Sequence, residues 1–292
     1  MKKTGFFSVM IISLLLTACQ RETDFVNDNT TTAPVLLKKF VLLDPAQSAP
    51  NDTLIVSVYS YDAFNRCTSI TSFDYQTLDT ITAINFYNGA DTVIRNRKVN
   101  YSGSGYDWEY FSYNASGQMT GDSIVTNGAG VTFVYKYQLT GNNYDMLLMD
   151  GTNNIPILKA NYQQTRNAAN DIIAEKDSSF QYNQFAGDYF FDVESLLSES
   201  YDTHPNPFYR VYPKRLVMLE FENAALDDFY VNYSVPQSNN ILEEKRTSNP
   251  ASSGLDPYHN TYTYQYNSNG YPASVSKSDL VLGITTKGVY IY

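Results

Sequence analysis

The sequence predicts an all-β protein with little helix: an antiparallel meander of many short hairpins. The meander is expected to curl into a barrel-like or sandwich body, or to form an extended twisted sheet. Three observations predict it. Aromatic residues make up 15% of the 292 residues, with 26 Tyr and 16 Phe, against only 17% charged residues. Tyr, Phe, Thr, Val and Ile are the residues that fit a pleated, half-buried surface. Runs of them are punctuated by turn pairs such as Asn88-Gly89, Ser116-Gly117 and Asn127-Gly128, the strongest short-range hairpin signal. Finally, Val131, Phe133, Tyr135, Tyr137 and Leu139 alternate with Thr132, Val134, Lys136 and Gln138, the period of a one-sided strand.

The first 18 residues stand outside that pattern. Met1-Lys2-Lys3 precedes an apolar run from Phe6 to Leu16, too short to span a bilayer, and Leu16-Thr17-Ala18-Cys19 closes it. Residues 1–18 resemble a bacterial lipoprotein signal peptide, which is cut before the cysteine so that the Cys19 thiol receives diacylglycerol. The resemblance implies a three-chain, palmitate-type anchor, which holds a protein far more firmly than one acyl chain. A plain secretory peptide with an incidental cysteine is the alternative. No aspartate follows Cys19 directly. By resemblance to Gram-negative sorting rules, that directs the protein to the cell outer membrane, facing either the periplasm or the surface. Residues 19–34 combine the lipidated cysteine with a tether rich in Asp, Asn and Thr, a composition that stays flexible.

A single domain, 35–292, follows. Its strand-like runs are Val35 to Leu43, Thr53 to Tyr61, Thr68 to Tyr75 and Thr80 to Tyr87. Thr92 to Tyr101, Trp108 to Tyr113, Gln118 to Thr126 and Val131 to Leu139 come next. Leu216 to Phe221, Phe229 to Val235, Thr261 to Tyr266 and Leu280 to Tyr292 complete them. A spacing of roughly 10 to 15 residues predicts on the order of 15 to 18 strands, and open sheets rarely exceed ~10 without curling. Helical signal is slight: Asp192 to Glu199 has early acids that suit two turns, and Asn223 to Asp228 fits one. Pro205 and Pro207 argue against a central strand. An irregular insertion near 192–215 is therefore expected, the best candidate for a lid or specialised loop.

Three hairpins share a pattern of aromatic, any residue, Tyr, then Asp or Asn. They begin at Tyr59-Ser60-Tyr61-Asp62, Phe111-Ser112-Tyr113-Asn114 and Tyr264-Gln265-Tyr266-Asn267. Asp or Asn caps the turn with its side chain, and a following Gly or Asn accepts positive φ. The pattern resembles the tyrosine-aspartate ("YD") repeats of Rhs-type proteins, and the uncharacterised Gram-negative lipoproteins built as long meanders of such hairpins. What it implies is architecture; it brings no catalytic residues.

The formal charge of −10 becomes −12 once Lys2 and Lys3 are removed with the signal. Such acidity argues against a phosphate-backbone partner, which would need a basic stripe, so no nucleic acid is expected. With Cys19 acylated, Cys67 has no disulfide partner and reads as a buried, inert thiol. His204 and His259 are the only histidines; no metal, cofactor or nucleophilic triad is expected from them. Asp107-Trp108-Glu109 reads as a solvated acid face over a core tryptophan, the acids sharing one side of a strand. Glu243-Glu244 and Asp227-Asp228 read as surface charge. Tyr262, Tyr264 and Tyr266, with Trp108, are the candidate ligand-binding residues, because an aromatic strip edged by hydroxyls suits sugar rings. Core packing is the competing reading of those tyrosines.

The expected function is a non-enzymatic, outer-membrane-anchored lipoprotein that binds or scaffolds, its partner a polysaccharide or an envelope protein. The alternative is a glycan-binding lipoprotein of a nutrient-uptake system. A hydrolase and a membrane-spanning barrel are weaker rivals, the latter because mean hydropathy is −0.34.

Overall fold

A computed structural model describes residues 34–49, 51–89, 93–102, 105–115, 119–126, 130–141, 143–210, 238–249 and 257–292. Its barrel unit, Val35–Tyr292, contains sixteen described strands. They are β1 Lys39–Leu43, β2 Thr53–Tyr61, β3 Cys67–Asp74, β4 Thr80–Tyr87, β5 Ile94–Tyr101, β6 Gly105–Tyr113, β7 Met119–Thr126 and β8 Val131–Thr140. The second half is β9 Asn143–Asp150, β10 Ile155–Arg166, β11 Ile172–Asn183, β12 Asp188–Pro205, β13 Asn239–Asn249, β14 Tyr258–Tyr266, β15 Pro272–Asp279 and β16 Ile284–Ile291. Every strand is antiparallel to its sequence neighbours, and β16 pairs with β1, so the sheet closes into a barrel. Closure leaves no edge among the described strands for another chain to pair with.

Register partners share a face of an antiparallel ladder, so burial identifies the inside. Tyr59, Ile70, Ala83 and Val99 lie in one row across β2 to β5, and all are buried. The row beside it, Val58, Thr71, Thr82 and Asn100, faces out. Tyr135 and Tyr137 point in and Lys136 points out, as the alternation of that run predicts. Inside, one apolar cluster gathers Phe40, Tyr59, Ile70, Phe208 and Tyr290, with Phe40 and Phe208 edge-to-face at 5.4 Å. A second gathers Met119, Tyr135, Tyr137, Met146 and the stacked pair Tyr144–Tyr162 at 4.3 Å.

The turns follow the predicted chemistry. The Asp62 carboxylate accepts the N–H groups of Phe64 at 2.8 Å and Arg66 at 3.1 Å, and Asn65 takes φ 60°. The Asn267 side chain does the same for Asn269 and Tyr271, ahead of Gly270 at φ 80°. Asn167 repeats it ahead of Asn170 at φ 69°. All three turns lie at one end of the barrel, the end where even-numbered strands finish. Leu37 and Tyr292 sit at this near rim too.

Tyrosines close hairpins at the near rim in a way the sequence reading missed. The hydroxyls of Tyr61, Tyr87, Tyr113 and Tyr292 donate to the carbonyls of Leu37, Cys67, Ile94 and Pro272 at 2.7 to 2.9 Å. Each ties the end of an even strand to the start of the strand before it. The signal was present: Tyr61, Tyr87 and Tyr113 recur at one fixed interval, repeated between Tyr266 and Tyr292.

The region near 192–215 corrects an expectation. Asp192 to Glu199 is not helical, and residues up to Pro205 are not an irregular insertion but strand β12. Val193, Ser195, Leu197 and Glu199 are buried inside while Leu196 is exposed outside. Pairing with β11 and β13 on both sides employs the backbone groups that a helix would have used, and the acids are accommodated singly: Glu194 bridges Lys176 at 2.7 Å on the outer wall. Pro205 closes the strand, where a missing N–H costs nothing. A 3₁₀ turn, Pro207–Arg210, then carries Phe208 into the core. Residues 211–215, the runs at 216–221 and 229–235, the turn at 223–228, Asp227-Asp228, the signal peptide, Cys19 and the tether up to residue 33 lie outside the described residues.

The outer wall mixes apolar residues, such as Val58, Trp108 and Leu196, with lysines at mid-strand. Lys98, Lys136, Lys159, Lys176, Lys245 and Lys287 all face out, each opposite an outward residue of a neighbouring strand.

Candidate functional site

On the inner face of β12, β13 and β14, one register row holds Glu199, Glu244 and Asn260, all buried. Two carboxylates directly opposite each other in a low-dielectric interior repel unless neutralised or hydrogen-bonded. The surrounding tyrosines supply those bonds. Tyr262 and Asn260 both donate to Glu244 Oε1, the latter at 2.8 Å, and Tyr201 donates to Glu199 Oε2. Further toward the near rim, Tyr266 donates to Asp202, which also accepts from Asn240 at 3.2 Å. His204 stacks on Tyr266 at 3.9 Å and Tyr264 lies beside Tyr266 at 5.9 Å. Burial pushes the Glu199 carboxyl well above its ordinary range, with the charges of Glu244, Glu175 and Asp171 adding to it against the Tyr201 bond. Burial likewise raises the Tyr262 hydroxyl, helped by Glu244.

The structure therefore brings Tyr262, Tyr264 and Tyr266 together, but as lining of the interior. Tyr262 is 7% exposed and has no ring face to offer a sugar. Inside, the Tyr262 and Tyr266 hydroxyls serve the acids Glu244 and Asp202. Trp108 is not with them. It faces outward opposite Lys98, while its neighbours Asp107 and Glu109 face inward. The expected arrangement is thus inverted, with acids inside and tryptophan outside. Glu109 tolerates burial because Arg97 pairs with it at 2.5 Å. Burial and nearby Asp122 still push its carboxyl up to about 7, against the pull of Arg97. Glu243 and Glu244 divide in the same way, Glu243 meeting His259 at 2.7 Å outside and Glu244 buried inside.

Cys67 is buried and its thiol is pushed up to about 12 by that burial, an inert group as expected. Among the described residues, no three acids, histidines or cysteines are placed to hold a metal ion.

On the outer wall, Phe86 and Trp108 lie 5.4 Å apart at 32°, and Trp108 and Tyr110 6.1 Å apart at 23°. Phe86 and Tyr110 are exposed. The far rim, where odd-numbered strands end, is different again. Tyr75, Leu78, Val131, Phe133, Ile157 and Phe185 are exposed there, as are Phe190, Phe191, Ile284 and the run Leu280-Val281-Leu282. Connections at this rim carry Asp44, Asp52, Asp74, Asp79, Asp150, Asp188 and Asp279, and the described residues of those connections include no Lys or Arg.

No protein-family model and no curated protein matches this sequence. Solved structures do resemble it in fold. A porin-like protein from Bacteroides vulgatus is 10% identical with a TM-score of 0.51, over 89% of this chain and 99% of its own. A porin-like protein from Bacteroides uniformis is 12% identical with a TM-score of 0.50, over 87% of this chain and 96% of its own. A chain of the Photorhabdus luminescens Tc holotoxin pore superposes with a TM-score of only 0.30, over 11% of its length.

Proposed function

We propose that this chain is a lipid-anchored barrel of the bacterial outer membrane whose body stands in water beside the bilayer and acts by binding, without catalysis. The outer wall carries the proposal. A barrel embedded in lipid needs an outward apolar band about 25 Å tall, and each Lys at mid-depth costs roughly 2–4 kcal/mol. Here lysines recur around the wall on β5, β8, β10, β11, β13 and β16. Attachment then falls to Cys19, and the likeness to porin-like Bacteroides proteins is one of fold. The test is fractionation with mass spectrometry of the mature N-terminus. The native protein is expected in the envelope, released by detergent alone, and Cys19→Ser in the soluble fraction. A Cys19→Ser protein that stays in the envelope, or an unacylated native N-terminus, would sink it.

A second reading, glycan binding for nutrient uptake, is favoured by the outer-wall rings of Phe86, Trp108 and Tyr110. Trp108 is the only tryptophan, so its fluorescence reports on this patch. Soluble polysaccharides should shift its emission, and Tyr110→Ala should abolish the shift. A panel of glycans that leaves the emission unmoved removes this reading.

A further inference from the structure

The two ends of the barrel are chemically unlike. The near rim holds both termini of the barrel unit and pairs cations with its own acids, as Arg66 does with Asp62 at 2.5 Å. The far rim combines exposed large apolar side chains with aspartates. Phe185 is fully exposed, and Leu78 and Leu282 are each 69% exposed. Leu78 also sits at φ 62°, a conformation in which a bulky side chain is unfavourable by about 1–2 kcal/mol and glycine would be the relaxed choice. A strained, solvent-exposed leucine contributes nothing to the fold, which marks the position for contact. Exposed apolar residues concentrated at one end of a molecule signal an interaction surface.

We infer that the far rim docks a protein partner through an apolar patch bordered by Lys or Arg. Charge complementarity selects this occupant. The aspartates of five connections lie at the same end as the apolar residues, and the described residues of those connections include no Lys or Arg. Lys277 on β15 feels the charge of Asp279 but leaves the other aspartates in excess, so an acidic or anionic surface is repelled while a basic one is drawn in. Many of these aspartates cap their own turns, as Asp74 does for Gln76 and Thr77 and Asp279 for Val281 and Leu282. They therefore keep their charge fixed in position beside the apolar tips. The inference deepens the binding role proposed above by naming the partner's chemistry. Its test does not depend on the anchor.

The test uses the mature chain carrying Cys19→Ser and three synthetic amphipathic peptides: Lys/Leu, Glu/Leu and Lys/Ser. Binding is read by fluorescence anisotropy and located by hydrogen exchange. Only the Lys/Leu peptide should bind, protecting the loops at 184–187 and 280–283, and its affinity should fall as salt rises. The double variant Phe185→Ser, Leu282→Ser should weaken it about tenfold or more, while Phe64→Ser at the near rim leaves it unchanged. Equal thermal unfolding of the variants confirms that the fold is intact. Four results overturn the inference: no Lys/Leu binding, equal Glu/Leu binding, rim-dependent binding to phosphatidylethanolamine vesicles, or a concentration-dependent dimer abolished by the double variant. The third would make a lipid surface the occupant and the fourth a second copy of this chain.

Discussion

Single residues inside this barrel are governed by how each buried acid is satisfied. Glu199 Oε1 and Asn260 Oδ1, on either side of Glu244, have no hydrogen-bond partner, and a proton on Glu199 removes the charge that burial penalises. Because burial raises the folded-state pKa above the ordinary 4.5, the stabilisation from that proton is fully present below the unfolded value. It is lost as pH climbs through the folded value. Chemical denaturation across this range is expected to show stability declining from pH ~4.5 upward, with Glu109 contributing in the same sense between 4.5 and about 7. Glu199→Gln keeps the shape and carries its donor permanently, so it should flatten that part of the profile. An unchanged slope would show that Glu199 is ionised in the fold.

At the scale of elements, the hairpin is the unit, and its turn was legible in the sequence. Asp62 and Asn267 cap their turns because a short side chain reaches its own backbone N–H groups two and four residues on. That logic is entirely local. Asn65→Gly should therefore be neutral or slightly stabilising, whereas Asn65→Val, which cannot adopt φ 60° without strain, should cost about 1–2 kcal/mol. Thermal unfolding of both variants checks it, and equal melting would mean the turn relaxes to another form. Strand β12 was misread because Asp192 to Glu199 has local helix signals as good as its strand alternation. Pairing with β11 and β13, which no local propensity encodes, settled the matter.

For the whole molecule, closure between β16 and β1 is the defining event, and Gly288 is where it is tightest. A Cβ there would lie 2.6 Å from the Phe40 ring and 2.8 Å from Val275. Phe40 is itself locked against Phe208 and Tyr290. Gly288→Val should destabilise the barrel by about 1–3 kcal/mol through overpacking at the seam, measured as a lower denaturant midpoint. A midpoint equal to that of the native chain would show the seam yields. The seam pairs the first strand with the last, so no short-range signal in the chain announces it.

Strand class, approximate strand number, turn geometry and the inert Cys67 could all be read from residue order alone, because each follows from side-chain shape, period and hydrogen bonding within a few residues. Which side of each strand is the inside was settled by long-range pairing and closure. Alternation is symmetric until closure chooses a face, and buried acids that find Arg97, Tyr201 or Tyr262 as partners are as much at home inside as leucines. That choice put Tyr262, Tyr264 and Tyr266 in the interior, Trp108 on the outer wall, and the apolar, acidic tips together at one end.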